Sequence, residues 1–143
     1  GTPVKRPRLV WVDKSRKTKA FCNKAYGVSG KPDCIYKLAD GYRLVEFKSR
    51  KSGIYESDRV QAKAAALAAR GGSKYKITEI LIQTKSTEEL IPLNMSDEQL
   101  YQDIKYYIEL AQKAHQGEPL KAIPEKRKCK YCAYVKVCTA KAC

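Results

Sequence analysis

The sequence predicts an α/β fold, in the broad sense that includes α+β, with a central mixed sheet flanked by helices. Segments typical of strands stand before and after an amphipathic helical segment, which is the pattern of a layered sheet and helix domain. Three cysteines then fall within ten residues near the C-terminus. At 143 residues the chain is expected to be one domain, with a core at about 8–117 and a cysteine segment at about 118–143.

The strands are predicted from short apolar runs and from alternation of side chains. They are expected at residues 9–12, 20–28, 35–38, 43–48, 76–85 and 90–93. Asp40-Gly41 separates two of these runs and predicts a hairpin that joins 35–38 to 43–48. Pro92 predicts that the last strand lies at an edge of the sheet.

Two helices are predicted from apolar spacing and from terminal signals. The first spans about 57–70, with Ser57 as N-cap and Gly71-Gly72 as its stop. The second opens at a capping box, Ser96-Asp97-Glu98-Gln99, and is expected to close at Gly117.

Two acidic residues, a lysine and a glutamine are predicted to converge where the hairpin meets the first helix. With a period of two, Glu46 and Lys48 project from the same face of their strand. Hairpin pairing would place Asp33 beside Glu46, and Gln61 lies on the following helix. Paired carboxylates suit a hard divalent cation, and a nearby lysine can orient water or neutralise developing charge. The alternative is a strand pair with solvated charges, because Glu-x-Lys is common in edge strands.

The net charge of +14 predicts an anionic partner, with nucleic acid ahead of a membrane surface. A basic protein of the ribosomal kind is the alternative. Arg50, Lys51 and Arg59 are the predicted DNA contacts, although a solvated basic loop would look the same. No apolar run reaches the ~20 residues of a membrane span, so a cytoplasmic protein is expected. The chain begins Gly-Thr, which suggests a fragment with an upstream segment missing.

The order Gly30-Lys31-Pro32-Asp33, Glu46-x-Lys48, Gln61 resembles the PD-(D/E)XK nuclease superfamily. Cys129-x2-Cys132-x5-Cys138 narrows the resemblance to its iron–sulfur RecB-like branch, which includes CRISPR-associated exonucleases and helicase-linked nucleases. The resemblance extends over about residues 8–138.

The resemblance implies a restriction-endonuclease-like core and a metal-dependent deoxyribonuclease that cleaves single-stranded or frayed DNA ends. Exonuclease action is expected ahead of endonuclease action. Asp33 and Glu46 would hold Mg²⁺ or Mn²⁺, with the Phe47 carbonyl as a further oxygen. Lys48 would position the attacking water, and Gln61 would steady that water or the phosphate. CRISPR adaptation proteins or recombination and repair proteins are the implied partners.

The resemblance also implies a [4Fe-4S] cluster that joins the two ends of the core. Three thiolates are one short of a four-ligand site. The implied ligands are Cys22, Cys129, Cys132 and Cys138. Cys143 is the main rival for the fourth position and Cys34 a weaker one, because Cys34 is expected to be buried and to point away from the metal site. Zinc is the alternative to iron–sulfur, and unligated cysteines are the remaining possibility.

Two departures from the branch leave other functions open. No histidine occupies the upstream position where RecB-like nucleases carry a metal ligand, and Ala65 stands where a tyrosine often follows the glutamine. A catalytically weak nucleic-acid-binding protein with a structural iron–sulfur or zinc site is therefore the second hypothesis. A basic zinc protein that uses its cysteines for protein contacts is the third.

Overall fold

The computed structural model of the protein describes residues 6–115 and 136–137. A 3-10 turn at Ser15–Lys17 follows the first strand. In chain order the other elements are β1 (Arg8–Val12), β2 (Phe21–Asn23), β3 (Val28–Gly30), β4 (Cys34–Leu38), β5 (Gly41–Phe47), α1 (Glu56–Gly72), β6 (Ile77–Gln83), β7 (Glu88–Pro92), α2 (Asp97–His115) and β8 (Lys136–Val137).

The larger sheet has five strands in the order β1-β4-β5-β6-β7. Strands β5 and β6 are parallel and the other neighbouring pairs are antiparallel, so the predicted mixed sheet is confirmed. The predicted hairpin joins β4 to β5 through a turn in which Gly41 has a φ of +119°, a conformation that favours glycine. Strand β7, which contains Pro92, lies at an edge as expected.

The prediction of one strand over 20–28 was wrong. That stretch contains β2 and the start of β3, which pair antiparallel across a turn. The turn is made by the amides of Tyr26 and Gly27, which both donate to the Asn23 carbonyl, and Gly27 has a φ of +67°. Strand β8 adds to β3, giving a smaller sheet of order β2-β3-β8.

Helix α1 begins earlier than its sequence signals predict. Its N-cap is Tyr55, whose amide donates to the Asp58 carboxylate at 2.8 Å, whereas Ser57 lies inside the first turn. Gly71 and Gly72 are the last two residues of the helix, which ends there as predicted, with Ser73 as its C-cap. A Cβ at Gly72 would come within 2.6 Å of the Cys22 carbonyl, so these glycines let β2 pass close to the helix.

Helix α1 packs against both sheets, and its alanines make this possible. A Cβ added at Gly30 would meet the Ala65 Cα at 2.6 Å. Strand β3 therefore runs so close to the helix that position 30 has no room for a side chain, and Ala65 is buried at this contact. Each residue of its predicted apolar stripe is buried: Val60, Ala64, Leu67 and Ala68.

Helix α2 is opened by the predicted capping box. The Ser96 hydroxyl accepts from the Gln99 amide, and the Gln99 side chain accepts from the Ser96 amide, each at 3.2 Å. Its inward face contributes Leu100, Ile104 and Ile108 to the core. The expected end at Gly117 lies outside the described residues.

Candidate active site

The register of the β4–β5 hairpin sets Asp33 opposite Glu46. Cys34 pairs with Val45, so the next antiparallel position joins the two acidic residues. Asp33 is fixed there because its carboxylate accepts a 2.6 Å hydrogen bond from the Phe47 amide. The predicted convergence of these carboxylates is therefore present in the fold.

Glu46 is an unusual carboxylate because its side chain faces α1 with only 5% of its surface exposed. Burial, followed by the negative charge of Asp33, raises the pKa of Glu46 to about 8, against the opposing pull of Lys48. The two carboxyl groups are close enough to share a hydrogen bond. Such a pair is favoured when a proton or a cation reduces the repulsion between its members.

Lys48 lies on the same face as Glu46, at the point where β5 reaches α1. Its ammonium donates to the Gln61 side-chain oxygen at 2.5 Å. The Lys48 amide donates to the Gln83 carbonyl of β6 at 2.7 Å, which fixes the backbone. The structure thus brings together all four residues predicted as catalytic, Asp33, Glu46, Lys48 and Gln61.

Asp58 belongs to the same constellation and was missed in the sequence. Its carboxylate is fully buried and lies 3.9 Å from the Lys48 ammonium. Burial pushes the pKa of Asp58 up, but hydrogen bonds from Arg50 and the Tyr55 amide outweigh burial and lower it. The available signal was its position three residues before Gln61, which places both on one side of a helix.

Asp13 is a second acidic residue that sequence reasoning did not select. Its amide donates to the Asp33 carbonyl at 2.9 Å, and its charge is among the causes that raise the pKa of Glu46. Its own carboxylate accepts from the Ser15 amide and lies 3.8 Å from Lys31. The polar sequence around Asp13 gave no signal that this residue belongs to the site. The proximity of Asp13 to Asp33 depends on the pairing of β1 with β4.

The residues predicted to contact DNA lie in different electrostatic settings. Arg50 forms two hydrogen bonds with Asp58, at 2.6 and 3.0 Å. Arg59 likewise forms two with Glu89, at 2.7 and 3.0 Å. Lys51 is exposed.

The loop that follows Lys48 is held against the β6–β7 turn by hydrogen bonds to its backbone. The Lys51 carbonyl accepts from the amide and hydroxyl of Ser86, at 3.0 and 2.7 Å. The Arg50 carbonyl accepts from the Lys85 amide at 3.1 Å. The exposed side chains of Lys51 and Lys85 therefore belong to two loops that are fixed to each other.

The two described cysteines have different settings. Cys34 is buried and free, and burial raises the pKa of its thiol, in agreement with its expected role as a small apolar residue. Cys22 on β2 is disulfide-bonded. Across the smaller sheet Cys22 pairs with Ser29, and Ser29 pairs with Lys136. The other cysteines lie outside the described residues: Cys129, Cys132, Cys138 and Cys143.

The described part of the chain contains neither a metal-binding cluster of three side chains nor a membrane-spanning helix. Within residues 6–115 and 136–137, no three His, Cys, Asp or Glu side chains gather in a metal-binding group. The site there has two facing carboxylates, Asp33 and Glu46. No helix in those ranges has the length and apolar character to cross a bilayer.

A mixed five-stranded sheet flanked by helices, with the acidic pair beside α1, defines a restriction-endonuclease-like α/β fold. The family description of the PD-(D/E)XK nuclease superfamily matches residues 3–139, and the chain belongs to that superfamily. Membership implies nuclease activity and a nucleic-acid substrate. No curated protein matches the chain.

Proposed function

We propose that the chain is a Mg²⁺- or Mn²⁺-dependent deoxyribonuclease that removes nucleotides from single-stranded or frayed DNA ends. The observation that carries the proposal is the opposition of Asp33 and Glu46 across β4 and β5. Lys48 stands on the same strand face as Glu46 and contacts Gln61 of α1. Superfamily membership supports the reaction class.

The acidic pair fits a divalent cation. Both side chains offer oxygen ligands, and burial, followed by the negative charge of Asp33, raises the pKa of Glu46 to about 8. A cation would relieve this repulsion, and the Phe47 carbonyl would add a further oxygen. When bound, a divalent ion polarises the scissile phosphate and makes a water molecule more acidic.

The chain's own residues supply orientation and charge. Lys48 is held by Gln61 at 2.5 Å and faces Asp58 at 3.9 Å, so its ammonium has a defined place beside the carboxylates. From there it orients the attacking water and stabilises negative charge that develops on the phosphate. Gln61 steadies the Lys48 ammonium and, through it, the attacking water or the scissile phosphate.

Binding of the DNA strand is assigned to the charge of the protein and to the surface beside the site. The net charge of +14 draws in a polyanion. Lys51, exposed on the loop fixed to the β6–β7 turn, is the first phosphate contact that we propose. Arg50 and Arg59 approach the strand with their charges partly balanced by Asp58 and Glu89.

An iron–sulfur cluster is proposed for the cysteine lobe, as in the RecB-like branch, with Cys22 as the upstream ligand. Strand β8 supports this, because it pairs with the hairpin that carries Cys22 and ends one residue before Cys138. A cluster ligand must be a thiolate, so the Cys22 disulfide would have to be reduced before the cluster forms. Zinc on the same cysteines is the alternative. The proposed setting is CRISPR adaptation or recombination and repair.

Cleavage of end-labelled single-stranded DNA tests the proposal. Anaerobically purified protein is expected to release short products in Mn²⁺ or Mg²⁺ and none in chelator. Asp33→Asn should abolish release, whereas Asp40→Asn, in the turn of the same hairpin, should leave it unchanged. Release by Asp33→Asn at the wild-type rate would overturn the assignment.

A second candidate function is nucleic-acid binding without cleavage. The observation in its favour is that no three His, Cys, Asp or Glu side chains gather in a metal-binding group within the described ranges. This candidate predicts salt-dependent DNA binding with intact substrate after prolonged incubation in Mn²⁺. Metal-dependent product formation that is lost in Asp33→Asn would exclude it.

A further inference from the structure

Tyr55 is an aromatic side chain with 55% of its surface exposed, on the residue that caps α1. Its ring lies against the Arg50 guanidinium, whose carbon is 5.0 Å from the ring centre. Gly53 lies beneath it, since a Cβ at that position would come within 2.7 Å of the Tyr55 hydroxyl oxygen. The ring is thus supported from within the protein while much of its surface faces solvent.

The arrangement is fixed by a single buried carboxylate. Asp58 accepts two hydrogen bonds from Arg50, at 2.6 and 3.0 Å, and a third from the Tyr55 amide at 2.8 Å. Arg50 also donates to the Gly53 carbonyl at 3.2 Å. Guanidinium, loop and aromatic residue are therefore locked together before any ligand arrives, which reduces the entropy lost on binding.

The same carboxylate joins this unit to the candidate active site, because Asp58 lies 3.9 Å from the Lys48 ammonium. Arg50 follows Lys48 by two residues in the chain. Tyr55 and Lys48 are therefore linked through one shared carboxylate, that of Asp58.

We propose that the Tyr55 ring, backed by Arg50, is a stacking platform for an unpaired base of the strand being cut. This inference rests on the proposed nuclease function and names its substrate class. Aromatic rings and guanidinium groups stack on any base, so the platform would not read sequence. Bases inside a duplex have both faces covered, and the platform therefore favours single strands and frayed ends.

The test measures binding in chelator, so that no cleavage occurs. The probes are a fluorescent single-stranded oligonucleotide, the same strand with abasic sites, and a blunt hairpin duplex. Wild type should bind the strand with bases more tightly than the abasic strand. Tyr55→Leu should lose about tenfold in affinity for the strand with bases and should no longer distinguish the two strands. Tyr55→Phe should behave as wild type, because it keeps the ring.

Tyr106→Leu is the matched control, because Tyr106 is also exposed, at 61%, but belongs to α2. It should leave all three affinities unchanged. Equal losses for both single strands in Tyr55→Leu would overturn the proposal and indicate a phosphate contact or a protein-docking residue. Equal binding of the two strands by wild type would also overturn it, and that comparison needs no variant.

Failure of the platform and failure of the nuclease proposal have separate signatures. Discrimination between the two strands without cleavage in Mn²⁺ would support the platform and reject the nuclease. Cleavage by wild type with no such discrimination would reject the platform alone. A thermal melt of Tyr55→Leu that matches wild type shows that any lost affinity is local.

Discussion

The Lys48 ammonium donates a 2.5 Å hydrogen bond to the side-chain oxygen of Gln61, joining the end of β5 to α1. This contact fixes an otherwise flexible lysine beside Glu46. A preorganised charged donor stabilises developing negative charge most strongly in a site that is partly shielded from water. The Lys48 side chain is only 15% exposed. The contact leads to two predictions about catalysis.

Replacing Lys48 should separate cleavage from binding. Lys48→Ala is expected to lower the cleavage rate by at least about a hundredfold, because the ammonium acts where charge develops. DNA affinity should change little, since the residue is one of 29 Lys and Arg. The measurement pairs single-turnover cleavage in Mn²⁺ with binding in chelator. Lys74→Ala serves as a surface control, and a Lys48→Ala protein that cleaves normally would contradict the assigned role.

Gln61 should act through Lys48, so their effects should not add. Gln61→Ala is expected to slow cleavage by about tenfold, and the double variant should be no slower than Lys48→Ala alone. The measurement is a double-mutant cycle built from the single-turnover cleavage rates of wild type, Lys48→Ala, Gln61→Ala and the double variant. Independent, multiplicative losses would show that Gln61 contacts the substrate without involving the lysine.

The stability of the metal-free protein should fall as pH rises. Burial and Asp33 raise the pKa of Glu46 to about 8, above the ordinary value of 4.5. Between these values the folded state binds more protons than the unfolded state, so stability declines with pH across that window. Thermal melts in chelator at pH ~6 and ~9 measure the decline, and added Mg²⁺ should raise the melting temperature more at the higher pH.

Glu46→Gln should remove most of this pH dependence, because glutamine does not titrate. Glu109→Gln is the control, since that carboxylate is exposed on α2 and paired with Lys105. An identical pH slope in wild type and Glu46→Gln would show that the buried carboxyl does not carry the raised pKa.

Asp58→Asn should destabilise the fold strongly. The substitution leaves the charges of Arg50 and Lys48 beside a buried neutral group, and removal of one partner of a buried ion pair costs about 3–5 kcal/mol. Urea unfolding of wild type and variant measures the difference in the free energy of unfolding. Asp103→Asn, which breaks the more exposed pair with Lys63, should cost below about 1 kcal/mol. Similar losses in both variants would mean that the Asp58 cluster is no stronger than a surface ion pair.

The cysteine lobe should contain iron. Anaerobically purified protein is expected to be brown, and Cys22→Ala should abolish the visible absorption, as should alanine at Cys129, Cys132 or Cys138. Cys34→Ala should keep the colour, because Cys34 is buried and free. The measurements are the iron and zinc contents of each protein and its visible absorption spectrum. One zinc without iron would reject the cluster, and colour lost only in Cys143→Ala would reassign the fourth ligand.

The sequence by itself determined the centre of the site, because the features that build it are local. Alternation along one strand puts Glu46 and Lys48 on the same face, and the Asp-Gly turn fixes the hairpin that sets Asp33 opposite Glu46. The helical position of Gln61 followed from the apolar stripe beside it. Each inference needed neighbours only a few residues away, or a partner strand joined by a short turn.

Only the tertiary structure decided what surrounds that centre, since those contacts join residues distant in the chain. The smaller sheet is one example, because β3 pairs with β8, whose residues come more than a hundred positions later. The burial of Asp58 and its pairing with Arg50 follow from the way α1 packs under the loop after Lys48. The close approach of Gly30 to Ala65 brings together residues of β3 and α1 that lie 35 positions apart in the chain, and leaves no room for a side chain at position 30. Local pattern sets which way a side chain points, but packing between elements decides which charge or surface it meets.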